Sequence, residues 1–151
     1  MTFQVRQGKP TDAAAIRTLL RAVTPLLVPD QPDPDAIPFL ESLKGPAVSD
    51  RLASPSYFHL VAERCADFSG YIATRDGSNL YHLFVRPELH GQGIGRLLWQ
   101  HLLRIGGPGP YTVNSTVHAV AVYRSFGFVP SSEPELHRCP PYAPMVYSGG
   151  S

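Results

Sequence analysis

Residues 82–96, His82-Leu83-Phe84-Val85-Arg86-Pro87-Glu88-Leu89-His90-Gly91-Gln92-Gly93-Ile94-Gly95-Arg96, decide how this chain is to be read. The apolar run Asn79 to Val85 predicts a strand. Beyond the glycines, Leu98, Leu102 and Ile105 recur at helical spacing up to the stop at Gly106-Gly107-Pro108. A strand that passes through glycines into a helix gathers several backbone N–H groups at one point, beside the positive end of the helix. Glycines at 91, 93 and 95 let that backbone take positive φ and approach an anion with no Cβ in the way. The segment is a seat for phosphate.

Three kinds of phosphate loop compete for it. A Walker loop needs Gly-Lys-Ser/Thr, and here the residues are Gly95-Arg96-Leu97. A dinucleotide fingerprint starting at Gly91 needs glycine or alanine where Arg96 stands, and an acid about twenty residues on for the ribose. From Leu89 to Ser132 there is no Asp or Glu, while Arg96, Arg104 and Arg124 fall in the same interval. That balance suits a ligand with several phosphates.

Working outward, Phe3 and Val5 alternate with polar residues and predict a first strand. Thr11 then caps a helix carrying Ile16, Leu19, Leu20 and Val23 on one face. Asp33-Pro34 opens a second short helix that Gly45-Pro46 stops. Tyr57 to Arg64 and Phe68 to Thr74 read as strands joined by a tight turn at Cys65-Ala66-Asp67, and Asp76-Gly77 turns the chain into the strand at Asn79. Alternation along that strand puts His82 on the side of Leu80 and Phe84 and opposite Leu83 and Val85. After the central helix come a strand from Tyr111 to Thr116, a helix from Ala119 to Phe126 ended by Gly127, and final strands at Phe128 to Pro130 and Tyr142 to Ser148. A meander followed by a βαβ unit makes a mixed, mostly antiparallel sheet, an α+β class. Residues 1–148 are expected to form one domain and 149–151 a short flexible tail.

With 151 residues the chain can bury a sizeable core, and 13 Lys+Arg against 12 Asp+Glu leave a formal charge of +1. That gives no global basic field for nucleic acid or an anionic membrane. The N-terminal MTFQVRQGKP has no apolar signal core, and no run approaches the roughly 18 apolar residues of a membrane span. Cys65 and Cys139 have no ligand or disulfide spacing, and no HExxH or carboxylate cluster suggests a metal. Asn114-Ser115-Thr116 is a glycosylation sequon only formally. A cytoplasmic protein is expected.

The phrase LFVRPELHGQGIGRLL resembles the Arg/Gln-x-x-Gly-x-Gly/Ala loop of the GNAT-type N-acetyltransferases, with His90 in place of the usual first residue. Residues 113–128, VNSTVHAVAVYRSFGF, resemble the family's second signature, in which an Asn ends a strand and Tyr-x-x-x-Gly-Phe closes a helix. The resemblance implies a GNAT-type fold and transfer of an acetyl group from acetyl-CoA to an amine, with a homodimer allowed. It implies that the backbone of Leu83, Phe84 and Val85 pairs with the pantetheine arm and that the amides of Gly91, Gln92, Gly93, Ile94, Gly95 and Arg96, following His90, hold the pyrophosphate. Asn114 falls beside the pantetheine, in a gap where two strands splay. Tyr123 falls at the general-acid position. His82 falls where many relatives carry a glutamate base; a base or a purely structural histidine are both open there, with His118 and Glu63 in reserve. Two readings from other classes remain: a non-catalytic acyl-CoA-binding or regulatory domain, and an interaction domain whose glycine loop is only a tight turn. Asp30, Asp33, Asp35 and Glu41, with no Lys or Arg between Ala22 and Leu43, offer either helix caps or a negative rim for a cationic amine. The prolines around them would stiffen that loop and limit acceptor size.

Overall fold

The computed structural model describes residues 2–28, 34–138 and 140–149. Asp30, Asp33 and Cys139 lie outside them, as does most of the tail. Strand β1 (Gln4–Gln7) leads into helices α1 (Ala13–Leu27), α2 (Ile37–Ser42) and α3 (Gly45–Ala53). Strands β2 (Tyr57–Arg64), β3 (Asp67–Arg75) and β4 (Asn79–Val85) form the meander. Then come α4 (Ile94–Gly106), β5 (Tyr111–Thr116), α5 (Val120–Phe126), β6 (Val129–Pro130) and β7 (Tyr142–Tyr147). The seven strands make one sheet in the order β1-β2-β3-β4-β5-β7-β6, antiparallel throughout except for the parallel β4–β5 pair. The expected single-domain α+β architecture is the one observed.

Each face of the sheet carries its own core. On one, Leu60, Ile72, Leu80 and Val113 meet Leu98, Trp99 and Leu102 of α4 and Tyr123 and Phe126 of α5. Trp99 is its centre, with its ring parallel to Phe126 at 5.8 Å and edge-on to Tyr111 at 5.3 Å. On the other, Val61, Tyr71 and Ala73 meet Ile16, Leu19, Leu20 and Val23 of α1 and Val48 of α3. Ile105, expected on the inner face of α4, is 58% exposed; Ile94 and Trp99 fill that face with Leu98 and Leu102.

Three local expectations are corrected. Gly45-Pro46 starts α3 instead of ending the helical region, because proline in a first turn gives up only an N–H that has no helical partner there. Thr11 does not cap α1. Asp12 takes the place, and its carboxylate accepts the Lys9 N–H at 2.7 Å and two hydrogen bonds from Arg6 at 2.8 and 2.9 Å. The third concerns β4. Ala73 pairs with His82 and Thr74 with Leu80, so Tyr81 is an extra residue in a bulge. An inserted residue reverses the alternation. Leu80 therefore lies in the α4-side core with Leu83 and Val85, while His82 and Phe84 face Tyr71 on the opposite side.

The bulge also sets where the sheet opens. β4 and β5 pair only at Asn79↔Thr112 and Leu80↔Val113, and from Tyr81 onward they diverge. Further along β4, Gly70 pairs with Val85, and a Cβ at Gly70 would stand 2.6 Å from the Phe84 carbonyl oxygen. Glycine is required there to seat the distal half of β4 against β3.

Candidate active site

Two cavities flank the opening. The first, about 690 Å³, is lined by Leu83, Phe84 and Val85 of β4, by the glycine loop, and by His118, Tyr123 and Phe126. The second, about 730 Å³, is lined by Asp35, Arg75, Tyr81, His82, Asn114, His137, Arg138 and Tyr142. Leu27, Phe84 and Thr116 line both. The two chambers meet where the strands part.

The loop is built as an anion seat. Gly91 and Gly93 have φ of 84° and 80°. The N–H groups of His90 and Leu97 are bonded to Pro87 and Gly93, but among the described residues none of the amides from Gly91 through Arg96 has an acceptor. The last three of these are the unpaired N–H groups of the first turn of α4, where the helix dipole adds positive potential. A Cβ built at Gly91 or Gly93 meets nothing within 4 Å, so the space beside these two glycines is open. His90 contributes more than backbone: its Nε2–H donates to the Val85 carbonyl at 2.8 Å and ties the loop to the end of β4. Arg96 donates to the Ser125 hydroxyl at 3.0 Å and lies over the Phe126 ring at 5.3 Å, which joins α4 to α5 at the cavity wall. Gln92 is exposed and is not in the cavity lining.

Tyr123 lines the first cavity with its residue only 6% exposed. Its hydroxyl has no protein partner, yet among the described residues no fully buried side-chain polar atom lacks one. The hydroxyl must therefore open on the cavity. Burial pushes its pKa upward from 10, so it keeps its proton across the working range.

His82 lines the other chamber. The buried Tyr71 hydroxyl lies 2.7 Å from His82 Nδ1. Because that hydroxyl has no other acceptor among the described residues, it donates to Nδ1, and the imidazole hydrogen sits on Nε2. Burial, then the charge of Arg51, hold the His82 pKa well below its ordinary 6.5. In the neutral form His82 offers this second chamber an N–H donor. Asn114, expected beside the pantetheine, lines this same chamber. Of the reserve candidates, His118 lines the first cavity, whereas Glu63 lies away from both and pairs with Arg6 at 3.2 Å. Tyr71, Tyr81, Arg75 and Arg138 had no signal in the sequence that set them apart.

Behind His82, His59 is 7% exposed, with its ring stacked on Tyr71 at 6.2 Å. Burial, reinforced by Arg51, lowers its pKa to about 4. An unfolded histidine titrates at about 6.5, so between these values the unfolded chain binds more protons than the native one. Stability from this group is complete above pH 6.5 and is lost as pH falls toward 4, amounting to about 3 kcal/mol at the end. His82 acts in the same direction. Urea titrations across this range are expected to show the loss, with a shallower slope in His59→Gln; equal slopes in both proteins would count against it.

The whole chain has close structural counterparts. A GCN5-related N-acetyltransferase from Rhodopseudomonas palustris superimposes with a TM-score of 0.80 at 18% identity, over 98% of this chain and 96% of that one. An N-acetyltransferase from Thermoplasma acidophilum in complex with coenzyme A gives 0.76 at 13% identity, over 96% and 98%. YjaB from Escherichia coli, solved in its apo form, gives 0.70 at 24% identity, over 99% and 100%. No curated protein matches the sequence. At these identities the likeness is one of fold, and the fold is that of the N-acetyltransferases. The family assignment comes from sequence: the acetyltransferase (GNAT) domain model matches residues 28–148, and the chain belongs to that family. It is an acetyltransferase that uses acetyl-CoA. Among the described residues no helix is long and apolar enough to cross a membrane.

Proposed function

We propose that the chain moves the acetyl group of acetyl-CoA to a primary amine, on a small molecule or a protein, which enters from the chamber lined by Tyr81, His82 and Tyr142. The observation that carries this is the junction of the two chambers at Phe84 and Thr116, beside the unpaired ends of β4 and β5. One side offers an anion seat and the other a polar chamber. A thioester held on the first side presents its carbonyl to an amine on the second.

Acetyl-CoA supplies an activated acyl group with a thiol as leaving group. The amides of Gly91 through Arg96 suit its pyrophosphate, and the unpaired edge of Leu83 to Val85 suits the amide groups of its arm. Tyr123 donates a hydrogen bond to the sulfur as charge develops on it. Because its pKa lies above 10 and a thiol's reference value is about 8.5, complete proton transfer is uphill and donation is the larger part of its role.

On the acceptor side, His82 positions the amine or its attendant water through Nε2–H, and serves as base only after a tautomer change that frees that nitrogen. The amine must lose its proton before attack. Nearby guanidinium groups, Arg75 and Arg138 in the lining and Arg51 behind it, disfavour the ammonium form and lower the proton's cost of leaving.

The test combines thermal shift with thiol release. CoA and acetyl-CoA are expected to raise Tm and NAD to leave it unchanged; saturation at a hundred times Kd adds about 2.7 kcal/mol of stability. A panel of primary amines is then expected to release thiol from acetyl-CoA. Stabilisation by CoA with no release on any amine would make this a non-catalytic acyl-CoA-binding domain.

A further inference from the structure

The acceptor chamber carries a charge pattern opposite to the one suggested by the acidic stretch at residues 30–41. Among the described residues lining it, two are arginines and one is an acid. Arg75, at the end of β3, places its guanidinium over the Tyr81 ring at 5.3 Å, and Arg138 lies on the segment leading to β7. Both are exposed, and among the described residues neither forms an ion pair. The acid, Asp35, is already engaged. Glu41, also from the acidic stretch, pairs with Lys44 at 2.9 Å and is not in the lining.

Tyr81 meets a second guanidinium, with Arg51 at 5.2 Å from its centroid as well as Arg75. A ring face attracts a guanidinium through its quadrupole but leaves the full positive charge and the N–H fork for another partner. The bulge that opens the sheet thus also puts an aromatic platform under a cation at the chamber wall. Beside these charges the lining is mixed, with an apolar part made by Leu27, Pro38, Phe39, Pro140 and Pro141 and a polar part that includes Asn79 and Asn114.

We infer that the acceptor is an amine with an apolar body and an anionic group, a carboxylate or a phosphonate-type anion, and that Arg75 and Arg138 hold the anion. A dication or polyamine entering this chamber meets like charge on both walls. A zwitterion instead pairs its anion with the guanidiniums, which removes the repulsion that a second cation would meet. The anion also supplies a fixed point from which the amine is oriented. This rests on the second chamber being the acceptor side of an acetyltransferase.

The experiment measures thiol release at saturating acetyl-CoA with matched acceptors: phenylalanine against phenylethylamine, 2-aminoethylphosphonate against propylamine, and spermidine, each corrected to its neutral amine. At least one anionic member is expected to exceed its uncharged partner by about tenfold in kcat/KM, the worth of a charge-assisted hydrogen bond. Which pair shows the larger ratio identifies the anion. Arg75→Gln and Arg138→Gln are expected to reduce that ratio through KM, and Arg75→Lys to restore part of it, while Arg21→Gln on α1 leaves it unchanged. Preference for phenylethylamine, propylamine or spermidine, or ratios indifferent to both arginines, would overturn the inference and leave the acetyltransferase standing. Thiol release on none of these or any other amine, with CoA still bound, would overturn both.

Discussion

Tyr123→Phe is expected to lower kcat about a hundredfold, the usual consequence of removing one donor aimed at developing charge, while CoA affinity and Tm stay close to the parent values. The separation of the two effects follows from the geometry. The ring packs edge-on against Phe126 at 6.0 Å and Phe128 at 5.5 Å, contacts that phenylalanine preserves. Among the described residues the hydroxyl has no partner to lose, so its removal leaves no orphaned group behind. A tyrosine kept for packing alone would tolerate the change without loss of rate. One kept for its oxygen loses rate without loss of fold. Because burial raises the hydroxyl's pKa, the rate deficit is expected to be constant from pH 6 to 9, as a donor that never ionises in that range requires. A variant within twofold of parental kcat on an identified acceptor would remove Tyr123 from the chemistry.

What could be read from the sequence was whatever is specified locally. The glycine loop and the Tyr123 to Phe128 signature are short runs whose backbone demands are written in the residues themselves: Gly91, Gly93 and Gly127 all take positive φ in the structure. The strands of the meander announced themselves by length and turn chemistry, even though the β2–β3 turn forces Cys65 and Ala66, neither of them glycine, to φ of 52° and 66°. The bulge was different. Leu80-Tyr81-His82-Leu83-Phe84 is apolar or aromatic throughout, so either alternation buries an acceptable face, and only the cross-strand register with Ala73 and Thr74 decides between them. Helix α3 was hidden because Gly-Pro can close one helix or open the next, and only the packing of Val48 against α1 and β3 chooses. The acceptor chamber was invisible for a third reason: its walls come from α2, the end of β3, the bulge, β5 and the segment before β7. No local pattern joins Arg75 to Arg138. The state of His82 likewise depends on Tyr71, a residue of the neighbouring strand.

The proposed phosphate seat makes the sharpest demand on a single residue type. Gly93 stands at the N-cap of α4 with φ 80° and ψ 12°, a left-handed conformation that costs any residue with a Cβ about 1–2 kcal/mol. Gly77, in the turn between β3 and β4, has φ 78° and equally open surroundings, but lines neither chamber described above. The two glycines therefore share a backbone strain and differ in what the free space is for. Gly93→Val and Gly77→Val are expected to lose similar amounts of stability, about 1–2 kcal/mol each in urea titrations. Only Gly93→Val is expected to weaken CoA, by about tenfold or more in Kd, because its side chain enters a cavity lined by Gly91, Ile94, Gly95 and Arg96 and blocks the approach of their unpaired amides to the pyrophosphate. Gly91→Val should follow Gly93→Val. The comparison separates strain from recognition: if Gly77→Val weakened CoA as much as Gly93→Val did, the loss would be a general loosening of the fold. If neither did, the amides of this loop would not be where the anion binds.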